Sequence, residues 1–189
     1  GILSVPKKEG KYPALLRVPG AGVRPYSGDT YTAPGKVITL EVGIHGIPVT
    51  MEQSVYDALA GGALNNYWTF GRDSRDNIYY NRVVVGVLRA VDFICSLPQY
   101  NGKALGVTGS SQGGALSVIT AALDPRVTFF AAVHPALCDH EAYIKKRACG
   151  WPHYFYYYGA PSEKELQSIR YYDTANFARC LKVPGWFSW

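Results

Sequence analysis

Charge is scarce in this chain. Asp, Glu, Lys and Arg make up 17% of the 189 residues, and the net charge of +5 comes without a long basic tract. The short run Lys145-Lys146-Arg147 reads as a solvated helix face. A nucleic-acid partner calls for a basic stripe or a recognition motif, and neither is visible. No apolar run is long enough to cross a bilayer, so no membrane span is expected. The four cysteines, Cys95, Cys138, Cys149 and Cys180, show no C-x-x-C spacing. They do not set the redox compartment, and neither a metal site nor a cofactor is expected. The chain opens at Gly1 without a Met or a leader pattern, and a leader removed earlier would leave that start.

What is present is a well-stocked core. Hydrophobic residues make up 48% of the chain and aromatic residues 14%, enough for one domain. The chain is organised around residues 104–116, which read as a buried strand, a sharp turn and a helix of small residues. Within them, Gly109-Ser110-Ser111-Gln112-Gly113 is a G-x-S-x-G match centred on Ser111. In a nucleophile elbow the central Ser stands clear on a strained strand-to-helix turn. The flanking Gly109 and Gly113 are expected where any Cβ would strike a neighbouring strand or helix. On its own the pattern is a common chance match in a chain with 20 glycines, so its context carries the argument.

That context is a run of alternating elements. Strands are predicted at residues 1–5, 14–18, 37–42, 104–108 and 127–133, with a sixth beginning near 183. Helices are predicted at 51–60, 78–97, 115–123, 163–170 and 173–181. In the second of these, Val84, Leu88, Val91 and Cys95 fall on one face, and Pro98 ends it. Residues 135–178 form a helical, aromatic insertion after the strand at 127–133. Such alternation implies an α/β fold, a mostly parallel sheet with helices on both faces. If the elbow strand is the fifth of an α/β-hydrolase sheet, the oxyanion loop follows the strand at 14–18. Its backbone donors would be the N–H groups of Ala21 and Gln112.

The base and acid of a serine triad are harder to place. In this fold they follow the seventh and eighth strands, in the chain order Ser, acid, His. The seventh strand falls at the end of the present sequence, so no triad acid or His is assigned within it. Asp139, His140 and Glu141 are adjacent and point apart, which prevents a base–orienter contact. His45, His134 and His153 could reach the site from above, but a lone His is more often a packed residue. Asp173 is placed as a helix cap ahead of Thr174 and Ala175.

Several segments together resemble a known group, the acetyl xylan esterase/cephalosporin C deacetylase family (carbohydrate esterase family seven). The elbow Gly109-Ser110-Ser111-Gln112-Gly113-Gly114 is similar to the family's G-G-S-Q-G-G. Tyr79-Tyr80-Asn81-Arg82-Val83, Ser96-Leu97-Pro98 and Tyr171-Tyr172-Asp173-Thr174-Ala175-Asn176-Phe177-Ala178 follow in the family's order. His45-Gly46-Ile47 stands where the family often has Arg-Gly-Gln, a supporting triplet, and Ala21 stands where its oxyanion loop often has Tyr. The resemblance implies a serine carboxylesterase acting on acetylated xylan, xylo-oligosaccharides or small acetyl esters, in a homo-oligomer and without a cofactor. It places the triad acid and a His-Glu motif beyond residue 189 and makes the chain an internal piece of one domain, lacking the first and last strands. The compartment stays open between bacterial cytoplasm and periplasm. A non-catalytic carbohydrate-binding protein, with the Tyr-rich run at 151–158 stacking on sugar rings, is the alternative, as is another serine hydrolase such as a peptidase.

Overall fold

The computed structural model describes residues 1–29 and 35–189. Its six strands are β1 (Ile2–Ser4), β2 (Tyr12–Arg17), β3 (Ile38–Glu41), β4 (Tyr100–Ser110), β5 (Phe129–Val133) and β6 (Gly185–Ser188). They form one sheet in the order β1-β3-β2-β4-β5-β6. All neighbours run parallel except β1, which lies antiparallel to β3. That order and that single reversal correspond to the second to seventh strands of an α/β-hydrolase sheet, the fold expected from the sequence.

The helices are α1 (Gln53–Gly61), α2 (Tyr79–Ser96), α3 (Gln112–Leu123), α4 (Tyr154–Tyr157), α5 (Glu163–Arg170) and α6 (Thr174–Ala178). Their ends have local causes. Leu97, held extended before Pro98, stops α2, because the residue before a proline is pushed out of the helical region. Ser162 and Glu165 close a reciprocal capping box on α5. Asp173 caps α6 through the Ala175 N–H, as expected. Residues 140–143 form a 3-10 turn, and Lys145 and Lys146 lie in a turn after it, not on a helix face.

One correction concerns α2. Its buried face carries Val83, Val87, Ala90, Val91 and Ile94, one position round from the face read from the sequence. Val84 and Cys95 are only partly buried against the core, and Leu88 is half-buried. Val83-Val84-Val85 is apolar on both sides, so periodicity alone leaves the phase of this helix open, and contact with the sheet decides it.

The core lies between the sheet and α2 and α3. Leu16, Ile38, Leu105 and Val107 meet Val91, Leu116 and Val118 there. Helix α3 is buried from Gln112 to Ala121, which explains its lack of a polar face. Its small first turn permits this depth. A Cβ on Gly114 would fall 2.7 Å from the Val133 carbonyl oxygen and 3.0 Å from the Pro135 Cα.

This topology positions a site. From β2 the chain crosses to β3 on one side, and from β4 it crosses to β5 on the other. The loops leaving β2 and β4 therefore diverge and leave a crevice at the carboxyl ends of these two strands, where open α/β sheets bind their ligands. The β2 loop begins at Pro19, and the β4 turn is Ser111.

Candidate active site

Ser111 joins β4 to α3 with φ 56 and ψ −119. A non-glycine residue held there is strained, and strain persists only where the surroundings impose it. The surroundings do so on both sides. The Ser111 N–H donates to the Val133 carbonyl at 2.8 Å, and the Ala136 N–H donates to the Ser111 carbonyl at 3.0 Å. The two flanking glycines are closely packed. A Cβ on Gly109 would collide with the Val18 carbonyl and lie 2.7 Å from Gly113. A Cβ on Gly113 would strike the same Val18 oxygen and sit 3.0 Å from the Pro19 carbonyl carbon.

The loop after β2 comes up against this turn. A Cβ on Gly20 would fall 4.0 Å from the Ser111 Cβ. Gln112 opens α3, where the first backbone N–H groups have no intrahelical acceptor. Among the described residues, neither the Gln112 N–H nor the Ala21 N–H has a hydrogen-bond partner. Both donors named from the sequence are thus unspent on backbone structure. A cavity of about 380 Å³ lies along the ends of β2 and β4, lined among others by Gly20, Arg24, Tyr26, Glu41 and Ser110; Ser111, Gln112 and Ala21 do not line it.

The side chains that hold this loop were not found in the sequence. Gln112 is fully buried. Its Oε1 accepts from the Tyr67 hydroxyl at 2.7 Å and from the Tyr80 hydroxyl at 2.9 Å, while its Nε2 donates to the Pro19 carbonyl at 3.4 Å. The Tyr67 hydroxyl also accepts the Gly22 N–H, at 3.3 Å. Burial pushes the Tyr67 phenol up to about 12, so it stays protonated and able to donate. Tyr80, wholly enclosed, is pushed well above the ordinary tyrosine value by the same cause.

His45 holds the loop from below. Its Nε2 lies 3.0 Å from the Gly22 carbonyl and its Nδ1 lies 2.7 Å from the Tyr79 hydroxyl. A carbonyl can only accept, so Nε2 carries the proton and Nδ1 accepts from Tyr79. Burial first, with the Arg82 and Arg24 charges adding to it, holds the imidazole below the usual histidine value and hence neutral. Arg82 donates to the His45 carbonyl at 2.7 Å and lies over the Tyr79 ring. His45 therefore acts as a support, the role expected of the triplet it begins.

The other polar residues weighed from the sequence scatter. Asp139 pairs with Arg147 at 2.8 Å, Glu141 pairs with Arg170, and His140 is buried edge-on against Tyr154. The three adjacent side chains do point apart. Burial lowers His140 to about 4. Asp173 accepts the backbone N–H groups of Asp139 and His140, each at 2.9 Å, in addition to its cap. His153 faces Cys149 Sγ at 3.4 Å. His134 is exposed, with a left-handed φ of 43, immediately after the Val133 that receives the Ser111 N–H. Among the described residues, no imidazole hydrogen-bonds the Ser111 hydroxyl. Among them also, no cluster of three or more His, Cys, Asp or Glu could hold a metal ion, and no helix is long and apolar enough to cross a membrane.

Comparison with known proteins identifies the family. The family model for acetyl xylan esterase (AXE1) matches residues 1–189. Acetyl esterase Axe7A of Xylanibacter ruminicola is 43% identical over 194 residues, an alignment covering 100% of this chain and 44% of that protein. The chain thus spans less than half the length of this curated relative. The crystal structure of acetyl xylan esterase 1 from Thermoanaerobacterium sp. JW/SL YS485 is 27% identical with a TM-score of 0.72, covering 96% of this chain and 60% of that one. Acetyl xylan esterase from Paenibacillus sp. R4 is 25% identical with a TM-score of 0.71, covering 98% and 62%. An acylaminoacyl peptidase, at 15% identity and a TM-score of 0.63 over 98% of this chain and 28% of that one, shares the fold alone. A family match over the whole chain and a strained Ser at the strand-to-helix turn lead to one conclusion: the chain belongs to the acetyl xylan esterase (AXE1) family.

Proposed function

We propose that the protein containing this chain is a serine carboxylesterase that removes acetyl groups from acetylated xylan, xylo-oligosaccharides or related small acetyl esters. The observation that carries this reading is Ser111, held at φ 56 and ψ −119 at the mouth of the β2–β4 crevice. Ser111 Oγ attacks the acetyl carbonyl carbon and a histidine takes its proton. The N–H groups of Gln112 and Ala21 receive the oxyanion, favoured by the positive end of α3. Collapse of the tetrahedral intermediate releases the sugar hydroxyl, and water then frees acetate from the acyl-serine. Both ring nitrogens of His45 are occupied and His140 is buried, which supports a base and acid supplied from outside residues 1–189. A fluorophosphonate probe tests the reading in the intact protein. Labelling at Ser111 with release of acetate from acetylated xylo-oligosaccharides is the expected result; binding of those sugars with no labelling would reject catalysis at Ser111.

The exposed aromatic residues support a homo-oligomer. Tyr156 is 62% exposed and Tyr157 66%, and interfaces bury such side chains. The same tyrosines favour, as a second reading, direct contact with sugar rings. Tyr156→Ala with Tyr157→Ala separates the two. Loss of assembly in light scattering points to an interface, and weaker xylo-oligosaccharide binding at unchanged mass points to sugar contact.

A further inference from the structure

The loop after β2 is pinned by side chains at nearly every peptide. Gln112 holds the Pro19 carbonyl, Tyr67 the Gly22 N–H and His45 the Gly22 carbonyl. The two carbonyls between them, of Gly20 and Ala21, are taken by one exposed side chain. Arg24 Nη1 donates to the Ala21 oxygen at 2.7 Å and Nη2 donates to the Gly20 oxygen at 3.4 Å. Among the described residues no carboxylate pairs with Arg24, so its guanidinium is committed to this backbone. The loop makes room for it. Gly22 has φ +123, and a Cβ there would fall 2.8 Å from Arg24 Nη1.

We propose that Arg24 is the positioning residue of the oxyanion loop, turning the Ala21 N–H toward Ser111. The inference rests on the esterase reading above. Its geometry follows from the planarity of the peptide unit. In a trans peptide the N–H points opposite to the C=O of the same unit. Arg24 draws the Gly20 oxygen to its own side, so the Ala21 N–H turns to the far side. The next peptide shows which way that is. Its Ala21 oxygen also faces Arg24, and its Gly22 N–H reaches the Tyr67 hydroxyl, which is bonded to Gln112, the neighbour of Ser111. A Cβ on Gly20 would fall 4.0 Å from the Ser111 Cβ and 3.6 Å from Arg24 Nη2, so Gly20 adjoins both. The Arg24 guanidinium bonds the Ala21 and Gly20 carbonyls and not the Ser111 side chain, so its assigned role is exerted through the loop.

The test uses the intact protein and a chromogenic acetate. A trifluoromethyl ketone serves as a second probe, since its hemiketal oxygen occupies the position of the oxyanion. Arg24→Ala is expected to lower kcat by about 10–100-fold, somewhat less than outright removal of an oxyanion donor. KM should stay within about twofold, the mark of an interaction realised in the transition state. Inhibitor affinity should weaken in step with kcat. Arg24→Lys, which can reach one carbonyl but not both, should recover part of each loss. An unchanged kcat overturns the proposal. So does a rise in KM alone, or a fall in kcat that leaves inhibitor affinity untouched. Ser111→Ala, run beside these, tests the esterase reading separately. Turnover surviving Ser111→Ala removes the basis of both. Turnover lost in Ser111→Ala but intact in Arg24→Ala overturns the Arg24 assignment alone.

Discussion

The Tyr67 hydroxyl bridges Gln112 and the β2 loop, donating to Gln112 Oε1 at 2.7 Å and accepting the Gly22 N–H at 3.3 Å. Through this one oxygen, Gln112, the residue after Ser111, and the loop facing it are held at a fixed separation. The arrangement is costly to disturb, because each buried polar group depends on the others for its hydrogen bonds.

Removing the Gln112 amide should therefore cost more than removing one hydroxyl. Gln112→Leu leaves the buried Tyr67 and Tyr80 hydroxyls without their acceptor and should destabilise by about 2–4 kcal/mol. Tyr67→Phe should cost about 1–2 kcal/mol. Urea unfolding of both variants and of the double variant checks this; additive effects would mean that the two residues are not coupled.

Ser111→Ala in the intact protein should reduce ester turnover by several orders of magnitude while leaving the unfolding midpoint near that of the parent. The same assay on residues 1–189 alone should show no measurable turnover, since no described imidazole bonds the Ser111 hydroxyl. Turnover by that fragment that vanished in its Ser111→Ala form would identify a histidine within it as the base. His134, one residue beyond the Ser111 backbone partner, would then be the first to substitute.

Gly113→Ala should be among the most damaging single-methyl additions in the chain. Its Cβ meets the backbone of Val18 and Pro19, which cannot rotate away as a side chain can. A loss of about 3 kcal/mol or more, or failure to fold, is expected. Gly86→Ala is the matched control. It adds the same atom in α2 with nothing within 4 Å, and should be neutral or slightly stabilising. Circular dichroism melts of the pair make the comparison.

Stability should fall on acidification through the window set by His140. Burial holds this imidazole at about 4 in the folded chain, against the ordinary 6.5. Between those values the unfolded chain binds a proton that the folded chain does not, so stability rises with pH across the window. The protonation penalty of His140 is thus absent above pH 6.5 and grows as the pH drops toward 4. Chemical unfolding measured from pH 7 to pH 4 should show His140→Phe losing less stability than the parent. Equal slopes would mean that the folded protein accommodates the charged ring.

How far the sequence could be read follows from the range of each interaction. The elbow was legible because its requirements are local. Gly109 and Gly113 flank Ser111 within one turn, and the strand before and the helix after are each set by their own residues. The ends of α2 and α5 and the cap at Asp173 were legible for the same reason, since proline sterics and capping side chains act within a few positions. The place of each strand also followed once the elbow strand was taken as the fifth of an α/β-hydrolase sheet. The antiparallel setting of β1 and the phase of α2 were not legible, as each depends on a partner far along the chain.

The support of the crevice belongs wholly to the tertiary structure. Tyr67 lies 45 residues before Gln112, and His45 lies 23 residues after Gly22. Nothing in the spacing of a Tyr, a His or an Arg announces that its polar atom will meet a particular backbone group. Hydrogen bonds of that reach are decided only when the sheet brings the ends of β2 and β4 together. The sequence by itself determined that a serine would stand on a strained turn. The packed fold decided what faces it, because desolvation leaves each buried donor near the crevice few acceptors and so selects one arrangement of the loop.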